Sequence, residues 1–380
     1  MLALAVAMGI GRFAFTPLLP MMHDDYGLPV TEGAWLATAN YVGYLAGALS
    51  AMATSVYPAA AIGGGLIAIG LVTLGMGLTD DFAAWIALRA IAGIASAWVM
   101  IYVSSWCLEQ LAVLRKQSLN GRIFAGVGLG ITVAGLLSLV MMNCQWSAAA
   151  AWMTLGVLSL IVVLVVGPTF LARADAIPPP ATIIPEKKML WDSESIRLVA
   201  CFATSGFGYI VPATFLPAMA KQVMHDPSIF GWSWPVFGAA ALASTLAASA
   251  IRRRIGNRHI WIASQLLMAA GVALPAVWRD MAAIILSGLL VGGTFMVITM
   301  AAIQEAKTLA GPHAIGLLSA LTAAFAIGQM LGPLSVSLLI QLGGGLASAL
   351  LFASGVLVAG AYMLYRSPRT LPIEQTRSAS

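Results

Sequence analysis

"MGIGRFAFTPLLPMM" occupies residues 8–22. It holds one charge, Arg12, and no other charged residue lies between Met1 and Met22. A bilayer crossing takes about 20 apolar residues, for a hydrocarbon core roughly 30 Å thick. The run from Met1 has that length. It is too long for a signal-peptide core, has no basic leading region, and reads as a retained membrane helix.

The rest of the chain has the same character. Of 380 residues, 60% are hydrophobic and 9% charged, against about 25% charged in soluble domains. Mean hydropathy is +0.93. A water-soluble core of this composition leaves too little polar surface to cover it, so the chain reads as an all-α integral membrane protein. The same length rule places twelve spans, near 1–22, 34–54, 58–79, 82–105, 120–143, 147–172, 196–220, 230–251, 259–278, 281–304, 312–341 and 345–365. The run at 312–341 is too long for one straight crossing. The spans group into a first six-helix bundle (1–172), a linker (173–195) with three consecutive prolines, a second bundle (196–366) and a tail (367–380).

Charge sets the expected orientation. With the N-terminus cytoplasmic, inner segments carry fifteen of the 19 Lys and Arg residues, and outer loops carry only Lys221 and Arg279. The positive-inside rule then puts both termini and the linker in the cytoplasm. The net charge of +5 is thus topology, not a nucleic-acid footprint. The expected partners are the lipid bilayer, a small-molecule substrate and protons, with no nucleic acid and no obligate protein partner. Cys107, Cys144 and Cys201 are scattered, which fits apolar packing and neither a disulfide framework nor a metal site. No GxxxxGK[ST] occurs, so no ATP drive within the chain, no cofactor and no enzymatic chemistry are expected.

The two halves echo each other. Shifted by 197 positions, "GIGRFAFTPLLPMM" falls on "GFGYIVPATFLPAM": Gly9, Gly11, Leu19, Pro20 and Met22 meet Gly206, Gly208, Leu216, Pro217 and Met219, and Trp35 meets Trp232. Six spans per half keep the same orientation, which makes this a parallel repeat.

On these residues the chain resembles the major facilitator superfamily. "GIGRFAFTPLLPMM", "GFGYIVPATFLP" and "ITMAAIQEAKTLAG…LTAAFAIGQMLGP" are similar to its bacterial YbfB/YjiJ-type branch. "LRAIAGIASA" (88–97) is similar to the superfamily's arginine–glycine motif of the fourth helix, and "IRRRIGNR" (251–258) to its basic loop motif. "TSVYPA", between the second and third spans, lacks the basic residues and acid of that loop. The fifth span has Gly126, Gly128 and Gly130 without the Gly-Pro pair of antiporters. The resemblance implies the major facilitator fold and transport by alternating access in the bacterial inner membrane. It names no substrate.

Arg12 has eleven residues before it, which puts it about 16 Å along its helix, near mid-bilayer. An arginine there costs at least ~3 kcal/mol on insertion scales and faces a cavity or a partner. No Asp or Glu falls in the middle third of any span. Two roles stay open: binding an anion, or clamping backbone carbonyls. Tyr209 takes the repeat-equivalent position. Asn40, Tyr41 and Gln329 are polar residues of other spans that can line the same cavity or bond between helices. Arg89, about 10 Å into the fourth span, can gate, couple or pack. Glu109 and Glu305, at the cytoplasmic ends of the fourth and tenth spans, suit an inner gate or surface ion pairs. Asp24 and Asp25, after the first span, suit proton acceptance or a solvated turn. The leading expectation is a secondary transporter of a small organic anion, moved with a proton. Export of amphipathic compounds or drugs is the runner-up. A non-transporting sensor or scaffold is the third reading, and a tail of 14 residues after Arg366 gives it little room.

Overall fold

The computed structural model describes residues 1–54, 56–171, 191–223, 232–251, 255–278, 280–311 and 314–366. Among them are twelve long helices and no strand: α1 Leu2–Tyr26, α2 Val30–Ala53, α3 Pro58–Leu78, α4 Phe82–Val113, α5 Asn120–Asn143, α6 Ala148–Leu171, α7 Ser193–Val223, α8 Ser233–Ile251, α9 Asn257–Val277, α10 Met281–Ala310, α11 Ala314–Gln341 and α12 Leu346–Tyr365. Each falls on a span expected from apolar run length. The run at 312–341 forms one continuous helix, and α4 and α10 overrun their expected ends at 105 and 304. At 1.5 Å per residue these three helices are about 42–48 Å long, so they tilt or project beyond the hydrocarbon. Residues 173–190 of the predicted linker, the whole predicted tail, and Arg252–Arg254 lie outside the described residues.

Short connections alternate the helix directions. Met1 and Tyr365 thus share one end of the bundle, the terminal face, opposite a far face. Exposed rings collect at both ends: Trp35, Trp146, Trp232 and Trp278 at the far face, and Tyr57, Trp191, Tyr362 and Tyr365 at the terminal face. Between them the outer surface carries bare aliphatic side chains such as Leu71, Leu164 and Leu334. Aromatic girdles around an apolar band are what a bilayer selects. The repeat-related pair Trp35 and Trp232 sits in the same girdle.

Three acids at helix starts serve as caps. Asp81 Oδ2 accepts from the Ala84 N–H at the start of α4 (2.7 Å), Asp280 Oδ1 from Ala282 at α10 (2.8 Å), and Asp192 Oδ1 from Ser195 at α7 (2.8 Å). Each satisfies an N–H that has no partner within its helix.

α5 carries two glycine stripes that point in different directions. Gly126 and Gly130 face α1, and the α1 backbone at Met1 and Ala5 lies where their Cβ atoms would stand. Gly121, Gly128 and Gly135, spaced by seven, face α8 in the other half. A Cβ on Gly128 would stand 2.8 Å from the Gly238 carbonyl oxygen. Small residues let membrane helices approach to backbone contact. α5 against α8, together with α2 against α11, forms the seam between the halves. The second half repeats the first device, since Gly206 of α7 and Gly328 of α11 lock those two helices as Gly9 and Gly130 lock α1 and α5.

Candidate functional site

α1 is not a plain α-helix. Residues Ala5–Phe13 take the wider π-helical winding, and ordinary α-helix resumes at Phe15. Pro17 follows at once and has no N–H, so the Phe13 carbonyl four residues earlier loses its intrahelical donor. Arg89 of α4 bonds the two carbonyls just before it, at the same break. Its Nη1 donates to the Gly11 carbonyl (3.4 Å) and its Nη2 to the Arg12 carbonyl (3.3 Å). Asn40 of α2 helps, with its side-chain amide donating to Gly11 O (3.4 Å) and Arg89 O (3.0 Å). A buried carbonyl left without a donor costs about 1–3 kcal/mol. Arg89 and Asn40 thus hold the break in α1 in shape. Wide π turns are frequent at functional sites, and this one carries Arg12.

The Arg12 side chain is 3% exposed. Its guanidinium donates from Nη2 to Gln329 Oε1 on α11, in the other half. The Tyr44 ring lies beneath it, 3.8 Å from Cζ to ring centroid, with Tyr41 at 5.6 Å and Phe13 at 5.7 Å. A desolvated cation over a ring gains about 2 kcal/mol, but a ring face does not cancel a charge. Among the described residues no carboxylate pairs with Arg12. Arg12 Nε and Nη1 and Gln329 Nε2 are buried without a hydrogen-bond partner. Asn40 Oδ1 is unpaired as well. Orphaned buried groups are rare in native interiors, and three of these four are donors.

The predicted site residues therefore separate. Arg12, Asn40, Tyr41, Arg89 and Gln329 come together at mid-membrane. Tyr209 is 1% exposed and lies a ring further on, stacked on Phe295 (5.1 Å, 16°); Phe295 meets Phe13 edge-on at 6.2 Å. Glu109 and Glu305 are at the terminal face. Lys307 of α10 reaches Glu109 of α4 at 3.7 Å, an ion pair between the halves. Arg258 of α9 bridges Glu305 (3.4 Å) and Glu194 of α7. The same face is tied by Ser249 of α8, which accepts from the Gly121 N–H (3.1 Å) and donates to the Ser118 carbonyl (3.0 Å). Asp24 and Asp25 are exposed at the far face. There Asp25 Oδ2 accepts from the Ala148 N–H at the start of α6 (2.5 Å).

Tyr44 and Phe13 were not anticipated. Tyr44 had a signal: it is four residues from Asn40, hence on the same helix face.

A family model described as "Uncharacterised MFS-type transporter YbfB" matches residues 4–365. An "Uncharacterized MFS-type transporter YceJ" of Bacillus subtilis (strain 168) is 22% identical over 274 residues, 69% of this chain and 68% of the relative.

Proposed function

The chain belongs to this family of MFS-type transporters, and on that premise we propose that its cargo is a small organic anion held by Arg12. The observation that carries the reading is a buried guanidinium with two unpaired nitrogens and no carboxylate beside it. In the parallel-repeat architecture a ligand sits near the midplane between the halves. Arg12 on α1 and Gln329 on α11 approach that plane from either half. An anion there supplies the acceptor that the unpaired N–H groups lack, and its charge offsets the guanidinium. The solute crosses by alternating access, without chemical change.

In the same reading the Glu109–Lys307 pair and the Ser249 contacts are the closed inner gate. An exposed ion pair is worth about 0–1 kcal/mol, which suits a contact broken in every cycle. A proton moving with the anion has Glu305 and Glu109 as its acceptors, since the surroundings of Arg12 contain no carboxylate.

The charge class is tested by thermal shift on the purified chain, with acids, neutral amides and amines of matched size. A ligand at one hundred times its Kd stabilises by about 2.7 kcal/mol. Organic monoacids are expected to raise Tm, and amines to leave it unchanged. Stabilisation by amines alone contradicts an anion site.

The terminal face is assigned to the cytoplasm of a bacterial inner membrane, from fifteen basic residues against two. A reporter that works only in the periplasm, fused after Arg369, is expected to be silent. Strong reporter activity reverses the orientation.

A further inference from the structure

The surroundings of Arg12 are more specific than its charge. Phe13, its neighbour on α1, meets Phe295 of α10 at 6.2 Å and Trp234 of α8 at 6.3 Å, edge-on in both cases. Behind these, rings lie nearly parallel: Trp234 on Phe237 (5.3 Å, 6°), Phe237 on Phe295 (5.2 Å, 27°), Phe295 on Tyr209 (5.1 Å, 16°). All are buried, and they come from three helices of the second half that converge on one residue of the first. Other buried indoles of the protein use their N–H: Trp85 donates to Met76 O (3.1 Å) and Trp261 to Gln265 Oε1 (2.8 Å). Trp234 is buried too, and its Nε1 donates to nothing. An unpaired donor thus stands at each end of the Phe13 contact, Arg12 on one side and Trp234 on the other.

We propose that the anion of this transporter is a planar aromatic monoanion, a single-ring carboxylate or its sulfonate analogue. Its charged group lies on Arg12, and its ring lies against Phe13, Phe295 and Trp234. This rests on the anion reading of Arg12.

Three observations select the class. The first is that Arg12 alone offers a guanidinium with more than one unpaired nitrogen, because Arg89 spends both Nη atoms on backbone carbonyls and keeps only its Nε. A second carboxylate on the ligand would be buried among rings without a cation of its own, at a large desolvation cost. The second is that the unpaired groups flanking the rings are donors, so a ligand rich in hydroxyls finds few acceptors for its own hydrogens. The third is that stacked and edge-on ring geometries favour a flat π-surface over an aliphatic body of equal size.

The test is a set of isotherms on the purified full-length chain with benzoate, benzenesulfonate, cyclohexanecarboxylate, acetate, succinate and benzamide. Benzoate and benzenesulfonate are expected to bind at least tenfold tighter than acetate and succinate, and severalfold tighter than cyclohexanecarboxylate. Benzamide is expected not to saturate. Phe295→Leu keeps an apolar side chain at that position. It is expected to weaken benzoate at least fivefold and to leave acetate within twofold. If acetate, succinate or cyclohexanecarboxylate binds as tightly as benzoate, or if Phe295→Leu leaves benzoate unchanged, the aromatic class is wrong and the anion reading stands. If benzamide matches benzoate, the anion reading itself fails. Absence of binding by every probe overturns both.

Discussion

Replacing Gly130 with valine is expected to lower the melting temperature of the purified protein by about 3–5 °C, through a loss of roughly 3 kcal/mol. Extra methyls in a packed interior ordinarily cost about 1–3 kcal/mol, because neighbouring side chains can rotate away. Here no side chain is in the way. The first added carbon falls on the backbone of Ala5, with that residue's Cα and carbonyl carbon each at 2.8 Å. Only the whole of α1 can move, and Gly9 on the same helix is in backbone contact with Gly130. The loss therefore lies at the upper end of the range. Gly167→Val on α6 is the control, since a Cβ there meets nothing within 4 Å, and its melting temperature is expected to stay within about 1 °C. Surface changes of that kind usually lie within ±0.5 kcal/mol. Equal melting temperatures for the two variants would mean that α1 and α5 do not cross at these glycines.

The helices were legible in the sequence because a bilayer imposes a length. Runs of about 20 apolar residues admit few parsings, and all twelve fell where expected. α2 was the hardest. It falls short of the hydropathy that the other eleven share, because Asn40, Tyr41 and Tyr44 on it face the inside of the protein. The overrun of α4 and α10 was not legible, since past the hydrocarbon a helix end depends on local propensity and tertiary contact. The glycine spacings of α5 were visible as spacings. That 126 and 130 serve α1 while 121, 128 and 135 serve α8 depends on the neighbours, which the sequence of α5 does not encode.

The site was half legible. An isolated arginine at mid-membrane singled itself out by cost. Of the alternatives left open for it, anion binding and a carbonyl clamp, the clamp is made by a different arginine. Arg89 makes the clamp on the carbonyls of Gly11 and Arg12, while Arg12 keeps two nitrogens unpaired. The aromatic wall was not legible. Phe13, Trp234, Phe237 and Phe295 are scattered over 283 positions, and rings in apolar spans are ordinarily packing.

Arg12→Ala is the substitution with the largest functional effect. A charge-assisted hydrogen bond in a buried site is worth about 1.5–3 kcal/mol, so anion affinity is expected to fall about 10- to 100-fold. Arg12→Lys is expected to lose nearly as much. Lysine presents a point charge where arginine presents a planar fork, and it cannot both donate to Gln329 and lie flat on the Tyr44 ring. The alanine variant is expected to fold. Removing a buried cation also removes its desolvation cost, and the break in α1 is held through Arg89 and Asn40, which bond to backbone atoms that alanine retains. Unchanged melting temperature with lost affinity is the signature of a binding residue. A fall in both is the signature of a structural one.

The most direct test is counterflow in proteoliposomes loaded with unlabelled benzenesulfonate, which stays ionised and does not leak across lipid as a neutral acid. Labelled benzenesulfonate outside is expected to accumulate transiently above equilibrium in vesicles carrying the wild-type chain. With Arg12→Ala, at equal insertion and equal melting temperature, the overshoot is expected to vanish. An overshoot of the same size in Arg12→Ala, or none with correctly folded wild-type protein, would contradict the account.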